Sequence, residues 1–275
     1  MISMPVIVFS DLDGTLLDHY SYDFSPAKST LAALRAINVP VVLNTSKTLA
    51  EVIDIAAEMQ LNGPMIVENG AAIYLPESDS QVPPLAESDV RGFSRQTFTK
   101  PHAYWSSLLT EAPEEFQPLF TSFTELGIEG IKQRTGLSTE QASKAASREF
   151  GEPVVWHGND TQKQAFMAYL RERGAAPIEG GRFMHVCGEC SKGDAMLWLC
   201  DYYAKQVYNN NKVTSIALGD GNNDVPMLEV ADYAVRVKSP VHAPPTLQRD
   251  GNIITTEQAG PAGWAQALTS LILPN

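Results

Sequence analysis

Asp11-Leu12-Asp13-Gly14-Thr15 sets two carboxylates one residue apart, directly after the apolar run Val6-Ile7-Val8-Phe9-Ser10. A run without polar alternation reads as a buried parallel strand. Open α/β sheets bind ligands beyond the carboxyl ends of such strands. Carboxylates there need a cation, a proton or several hydrogen bonds, so the pair points to a metal-dependent site. Two further strand ends carry comparable groups: Thr45 follows the run Val39 to Leu43, and Asp220 and Asp224 lie in Gly219-Asp220-Gly221-Asn222-Asn223-Asp224 after the run Val213 to Leu218. Lys192 opens a helix behind Ser191.

These groups suit phosphoryl transfer, which is mostly positioning and charge stabilisation. One carboxylate attacks phosphorus and forms an aspartyl-phosphate. A second, two residues on, protonates the leaving alkoxide and then activates water. Mg²⁺ takes oxygen ligands, usually one or two carboxylates plus waters. Asp11, the backbone carbonyl of Asp13 and Asp220 fit that need, with Asp224 acting directly or through water. The Thr45 hydroxyl and the Lys192 ammonium would bind phosphoryl oxygens. Taken singly, each piece also has a plain structural reading: Asp-Gly is a common turn signal, Thr45 can start a helix and Lys192 can be a solvated surface lysine. Neither acidic segment is a calcium loop, because Leu16 or Val225 stands where that loop needs glycine. The ordered set, each member at a strand end or helix start, favours catalysis.

The elements that must position these residues alternate. Ser25-Pro26 reads as an N-cap and first helical residue, followed by Leu31, Leu34 and Ile37 at helical spacing. The Val39 to Leu43 strand, a helix through Val52, Ile53 and Ala56, and the strand Met65-Ile66-Val67 complete a βαβαβ order. That order predicts a parallel sheet with right-handed crossovers. Residues 76–89, rich in Pro, Ser and acids, read as a linker. Beyond it come a capping box at Ser138 to Gln141, a strand Pro153 to His157, a helix Thr161 to Arg173 and a strand Arg182 to Cys187. Trp105 to Ile131 stays open between helix and loop, since Pro113 and Pro118 interrupt its spacing. Ser191 caps a helix with Ala195, Leu199 and Tyr203, and the sheet resumes with Val213 to Leu218 and Tyr233 to Val237. The expected division is 1–89 and 187–275 for an α/β parallel-sheet core, with 90–186 an inserted α/β domain.

The 275 residues carry a formal charge of −12, which argues against nucleic acid or an anionic membrane as partner. An anionic substrate then needs local positive charge at the site. No stretch reaches the length of a membrane span and the N-terminus lacks a signal pattern. Three cysteines do not make a disulfide framework, so a reduced, soluble, cytoplasmic protein is the expectation. Cys187-Gly188-Glu189-Cys190 lacks a full zinc set, since only Cys200 remains, and it reads as incidental thiols.

With these residues in order, the chain resembles the haloacid dehalogenase superfamily of phosphatases, of the type with a large α/β cap inserted after the third strand. The resemblance implies a Rossmann-like parallel-sheet core, Asp11 as nucleophile and Asp13 as general acid/base. It implies Thr45 and Lys192 on the phosphoryl group, Asp11, Asp13, Asp220 and Asp224 around Mg²⁺, and Asn223 contacting the site. A narrower likeness runs through Asn44-Thr45-Ser46-Lys47-Thr48, Glu68-Asn69-Gly70-Ala71, Thr135-Gly136-Leu137-Ser138, Gly181-Arg182-Phe183-Met184-His185-Val186 and Gly260-Pro261-Ala262-Gly263-Trp264. These stretches resemble the mannosyl-3-phosphoglycerate phosphatases, which implies a phosphorylated sugar/glycerate as the small-molecule substrate and mannosylglycerate, a compatible solute, as product. Gly136, Leu137 and Ser138 at a helix N-terminus suit an anion. Arg182 offers a fork for a carboxylate, Lys47 can reach the same anion, and Asn69 completes the set. Ser138 as a mere cap, Arg182 as an exposed strand residue and His185 as a strand histidine are the structural alternatives.

Overall fold

The apolar runs become the centre of one large sheet. The computed structural model describes residues 5–77, 82–85, 87–89, 92–179 and 183–273. The first elements are β1 (Val6–Ser10), α1 (Lys28–Ala36), β2 (Val41–Asn44), α2 (Leu49–Glu58) and β3 (Met65–Val67). After them come β4 (Ala72–Pro76), β5 (Glu87–Asp89) and β6 (Phe93–Thr97). A second unit contains α3 (His102–Thr110), β7 (Phe120–Ser122), α4 (Phe123–Thr135), α5 (Thr139–Ala146), β8 (Glu152–Trp156), α6 (Asp160–Arg171), β9 (Ile178–Glu179) and β10 (Met184–Val186). The chain returns through α7 (Lys192–Gln206), β11 (Thr214–Gly219), α8 (Val225–Val230), β12 (Tyr233–Lys238), β13 (Ile253–Ala259) and α9 (Gly260–Ile272).

The large sheet has nine strands in the order β13-β12-β11-β1-β2-β3-β4-β6-β5. From β13 to β3 all pairings are parallel, and β3–β4, β4–β6 and β6–β5 are antiparallel. β1, entirely buried, lies in the interior of the sheet with β11 and β2 on either side. Apolar clusters cover both faces. One gathers Leu12, Leu16, Leu43 and Trp264, and the other Phe9, Val42, Met196 and Leu199. The second sheet, β7-β8-β10-β9, is wholly antiparallel. Its cluster includes Phe116, Phe120, Phe166 and Met184. An α/β parallel-sheet fold with a second, antiparallel-sheet domain is therefore what the chain adopts.

Sheet membership departs from the division expected at residue 89. The stretch 76–89 is not only a connector, because β5 pairs with β6, and β6, beyond the expected border, pairs with β4. The physical reason is that Phe-Ser-Arg-Gln-Thr in β6 is mostly half-buried and lacks a clean apolar alternation. Ser25 sits inside a short 3₁₀ turn without capping it, and its hydroxyl bonds Asp23 instead, at 2.6 Å. The open stretch after Trp105 resolves into α3, β7 and α4, and α4 breaks its helical backbone at Gly127.

Candidate active site

Because β11, β1 and β2 are neighbours, Asp220, Asp11 and Thr45 leave three adjacent strand ends on the same edge. The Asp11 amide donates to the Leu218 carbonyl at 2.9 Å, extending the β1–β11 ladder by one residue. Trp264, fully buried, donates its indole N–H to Ser10 Oγ at 2.9 Å, and that hydroxyl donates to the Asp11 carbonyl at 2.7 Å. The aspartate is thus seated by backbone and by a side chain from α9.

Lys192, the first residue of α7, is completely buried. Its Nζ lies 2.6 Å from both Asp11 Oδ1 and Asp224 Oδ1. Ser191 caps α7, and Asn44 donates to the Lys192 carbonyl at 3.0 Å, tying the start of the helix to the end of β2. Asp224 Oδ2 accepts the amides of Asp220 and Gly221 at 3.0 and 2.9 Å. Asp220 Oδ1 accepts the Thr15 hydroxyl at 3.1 Å. Gly14, at φ +77°, allows that approach, since a Cβ there would stand 2.5 Å from Asp220 Oδ2.

Asp11, Asp220 and Asp224 bring carboxylate oxygens within 4.8 Å of one another, all buried. Burial, followed by the charge of Asp224, pushes Asp11 well above the ordinary carboxylate range, with Lys192 opposing. Burial and Asp224 likewise push Asp220 upward. Burial alone would lower Lys192, but Asp11 and Asp224 outweigh it and hold the ammonium above its usual value. Three buried carboxylates therefore face one buried ammonium, an imbalance that a divalent cation with oxygen ligands corrects.

Around this centre, Lys47 lies 2.9 Å from Asp13 Oδ2 and 4.0 Å from Glu51. Asp13 Oδ1 is buried with no hydrogen-bond partner. Thr45 is buried, and its Oγ accepts the Lys47 amide at 3.2 Å. Asn223 donates to Asn69 Oδ1 at 3.3 Å. The structure thus gathers Asp11, Asp13, Thr45, Lys47, Asn69, Lys192, Asp220, Asn223 and Asp224 at one edge.

The expected residues of the second unit are placed differently. Gly136, left-handed at φ 78°, ends α4, and Ser138 caps α5 in a reciprocal box with Gln141. Among the described residues, no hydrogen bond or ion pair joins Gly136, Leu137 or Ser138 to the sheet edge. The opposite end of α5 makes that connection, where the Thr48 hydroxyl donates to the Lys144 carbonyl at 2.9 Å. Arg182 lies outside the described residues.

Several contributors have partners that no local sequence signal announces. Glu68, buried at φ 49°, accepts the amides of Glu149, Phe150 and Gly151 at 2.7, 3.3 and 3.0 Å, and Arg148 approaches it at 3.3 Å. Arg148 also donates to the Ser46 carbonyl at 3.1 Å. Gly70, at φ 93°, lies so close to Ser191 that a Cβ would meet its carbonyl oxygen at 2.1 Å. Glu68-Asn69-Gly70 stands out as a polar strand end, but partners so distant in sequence leave no trace beside it. His242, 3.3 Å from Asp220 Oδ2, has no signal either.

The sequence pattern of the haloacid dehalogenase-like hydrolases matches residues 8–105 and 161–267. Among solved structures, a phosphatase-superfamily protein from Bacteroides thetaiotaomicron superposes with a TM-score of 0.65 at 17% identity, over 98% of this chain and 96% of that one. The sucrose-phosphatase of Synechocystis, solved with sucrose and phosphate, gives 0.58 at 15% identity over 96% and 97%. A subclass IIB sugar phosphatase gives 0.63 at 14% identity over 98% and 100%.

Proposed function

The chain belongs to the haloacid dehalogenase-like hydrolases, and from that premise we propose that it is a Mg²⁺-dependent phosphatase converting mannosyl-3-phosphoglycerate to mannosylglycerate and phosphate. The observation that carries the phosphatase reading is the buried Asp11, bonded to Lys192 at 2.6 Å beside Asp220 and Asp224. Asp11 Oδ attacks phosphorus and forms the aspartyl-phosphate, and Asp13 gives a proton to the departing glycerate oxygen. Asp13 then takes a proton from the water that hydrolyses the intermediate. Thr45 and Lys192 hold the non-bridging oxygens. Lys192 keeps its charge because two carboxylates surround it, so it offsets the anionic transition state without being consumed.

Asp11, Asp220 and Asp224, with the Asp13 carbonyl, would hold Mg²⁺. The fit is the uncompensated charge of the three buried carboxylates. When bound, the ion supplies the positive charge that keeps Asp11 ionised and screens the phosphate from it.

In this reading the second unit is a cap over the edge and selects the substrate. Its support is the likeness of the Gly136-Leu137-Ser138 and Gly181-Arg182-Phe183 stretches to the mannosyl-3-phosphoglycerate phosphatases, together with Lys47 at the edge. A general sugar-phosphate phosphatase is the second reading, favoured by the fold shared with the sucrose-phosphatase. Phosphate release from mannosyl-3-phosphoglycerate, glucosyl-3-phosphoglycerate, 3-phosphoglycerate and mannose 6-phosphate, with and without Mg²⁺, separates them. Selective, Mg²⁺-dependent turnover of the first compound is expected. Equal rates across the panel would leave only the general reading, and no release from any would remove both.

A further inference from the structure

We propose that Arg148, which belongs to the second unit, is a positioning residue for the phosphoryl site: it fixes the Ser46–Lys47 peptide and through it aims the Thr45 hydroxyl. The inference rests on the reading of Thr45 as a phosphoryl-binding group and adds the residue that orients it. Thr45, Ser46 and Lys47 connect β2 to α2 and present three successive carbonyls. Asn69 donates its amide to the Thr45 carbonyl at 2.9 Å, and Glu68 donates its amide to the Lys47 carbonyl at 3.0 Å. Both donors come from the turn that follows β3. The middle carbonyl, that of Ser46, accepts Nη2 of Arg148 at 3.1 Å. The loop thus takes one of its three anchors from the second unit.

One peptide plane carries the Ser46 carbonyl and the Lys47 amide, so holding the first orients the second. That amide donates to Thr45 Oγ at 3.2 Å. A hydroxyl that accepts on one side turns its own proton away from the donor, which leaves the Thr45 O–H to meet a phosphoryl oxygen. The guanidinium is itself held. Its side chain is 6% exposed, and Nε lies 3.3 Å from Glu68 Oε2. The same carboxylate takes the amides of Glu149, Phe150 and Gly151, next to Arg148 in the chain. Nε has no hydrogen-bond partner among the described residues, so Glu68 acts on it as a charge while Nη2 makes the directed bond. A buried guanidinium needs that counter-charge, and its planar fork fixes the angle at which Nη2 meets Ser46. Thr48 adds a second tie, since its hydroxyl donates to the Lys144 carbonyl at 2.9 Å. The second unit therefore grips the phosphoryl-binding loop itself.

The test compares wild type, R148K, T45A and the double variant, all below the lowest of their four melting temperatures, on mannosyl-3-phosphoglycerate and on an aryl phosphate. R148K keeps the charge beside Glu68 and gives up the fork. Its kcat should fall about 10- to 100-fold on both esters, with KM moving less, since every phosphate ester meets the same hydroxyl. In the T45A background the same replacement should cost less than about twofold, because the group that Arg148 aims is gone. Unchanged kcat in R148K, or equal losses in the two backgrounds, would overturn the proposal and leave Arg148 as a structural joint. A loss confined to KM of the glycosyl ester would overturn it too, making Arg148 a substrate contact. If neither ester turns over, the phosphatase reading fails, and titration calorimetry with inorganic phosphate and Mg²⁺ decides. A phosphate Kd that rises about tenfold in R148K, yet does not differ between T45A and the double variant, would uphold the positioning role. Any other pattern, absence of binding included, would overturn it.

Discussion

The sheet edge and the second unit handle charge in opposite ways. At the edge, three carboxylates and a lysine are packed together out of water, and negative charge outnumbers positive. In the second unit, buried aromatic side chains surround Phe166, and many charges pair at the surface, as in Lys132 with Glu129 and Lys144 with Glu140. Its deepest carboxylate, Glu152, is satisfied locally by His102 and by the Thr124 amide at 2.8 Å. One region holds groups in a state they resist, which is what a reactive centre needs. The other settles its deepest carboxylate where it stands, with partners of its own unit.

The hardest test of that contrast is Asp11→Asn. Turnover should fall on the order of 10⁴-fold or more, while the melting temperature in chelator is held or raised, because burial and Asp224 disfavour the Asp11 charge. Appreciable residual turnover would end the nucleophile assignment, and a large drop in melting temperature would end the claim that the edge is electrostatically overloaded. Asp13→Asn comes next. Turnover of a sugar-type ester should fall about 10²- to 10⁴-fold, and the loss should shrink for an activated aryl phosphate, whose leaving group needs no proton. Equal losses on both substrates would count against the acid role.

The second unit should answer more quietly. Ser138→Ala removes a helix cap and should cost about 1 kcal/mol of stability, read by denaturant unfolding. If the α5 terminus also binds the substrate's anion, KM for the glycosyl phosphoglycerate should rise roughly two- to fivefold, the worth of about 0.5–1 kcal/mol at a helix terminus. Aryl phosphate kinetics should not move, and a change in their kcat would place Ser138 in the chemistry.

Glu152→Gln gives the smallest signal. Burial would raise Glu152, but His102 and the Thr124 amide outweigh it and hold the carboxyl below its usual range. A depressed carboxyl contributes stability above its unfolded pKa of about 4.3 and loses it as pH falls through the folded value. The melting-temperature gap between wild type and variant should therefore be full at pH 7 and close below about pH 4. A gap constant with pH would show that packing, and not charge, makes the difference.

How much of this was readable depended on where each partner sits. Asp11, Thr45, Asp220 and Lys192 lie beside strong local signals, since apolar strands and helix caps are written in consecutive residues. That β1, β2, β3 and β11 belong to a parallel sheet followed from the same signals. β13 was hidden because it is an edge strand, Ile-Ile-Thr-Thr-Glu-Gln-Ala, with most side chains exposed or half-buried. β4 and β6 were hidden because a Pro- and Ser-rich stretch separates them and masks their antiparallel pairing. The site was legible as a set of residue types but not as a set of bonds. Lys47 reads as an anion binder, yet nothing local says that Asp13 is its partner at 2.9 Å. Glu68 and Arg148 meet only after folding.

Glu68-Asn69-Gly70 limits how this chain can change over generations. Its three successive residues address three separate places: the Glu149 to Gly151 backbone, Asn223 on the acidic loop, and the Ser191-Lys192 junction. The tripeptide is therefore a ruler whose marks cannot slide. Adding or deleting one residue between β3 and β4 would displace all three marks together.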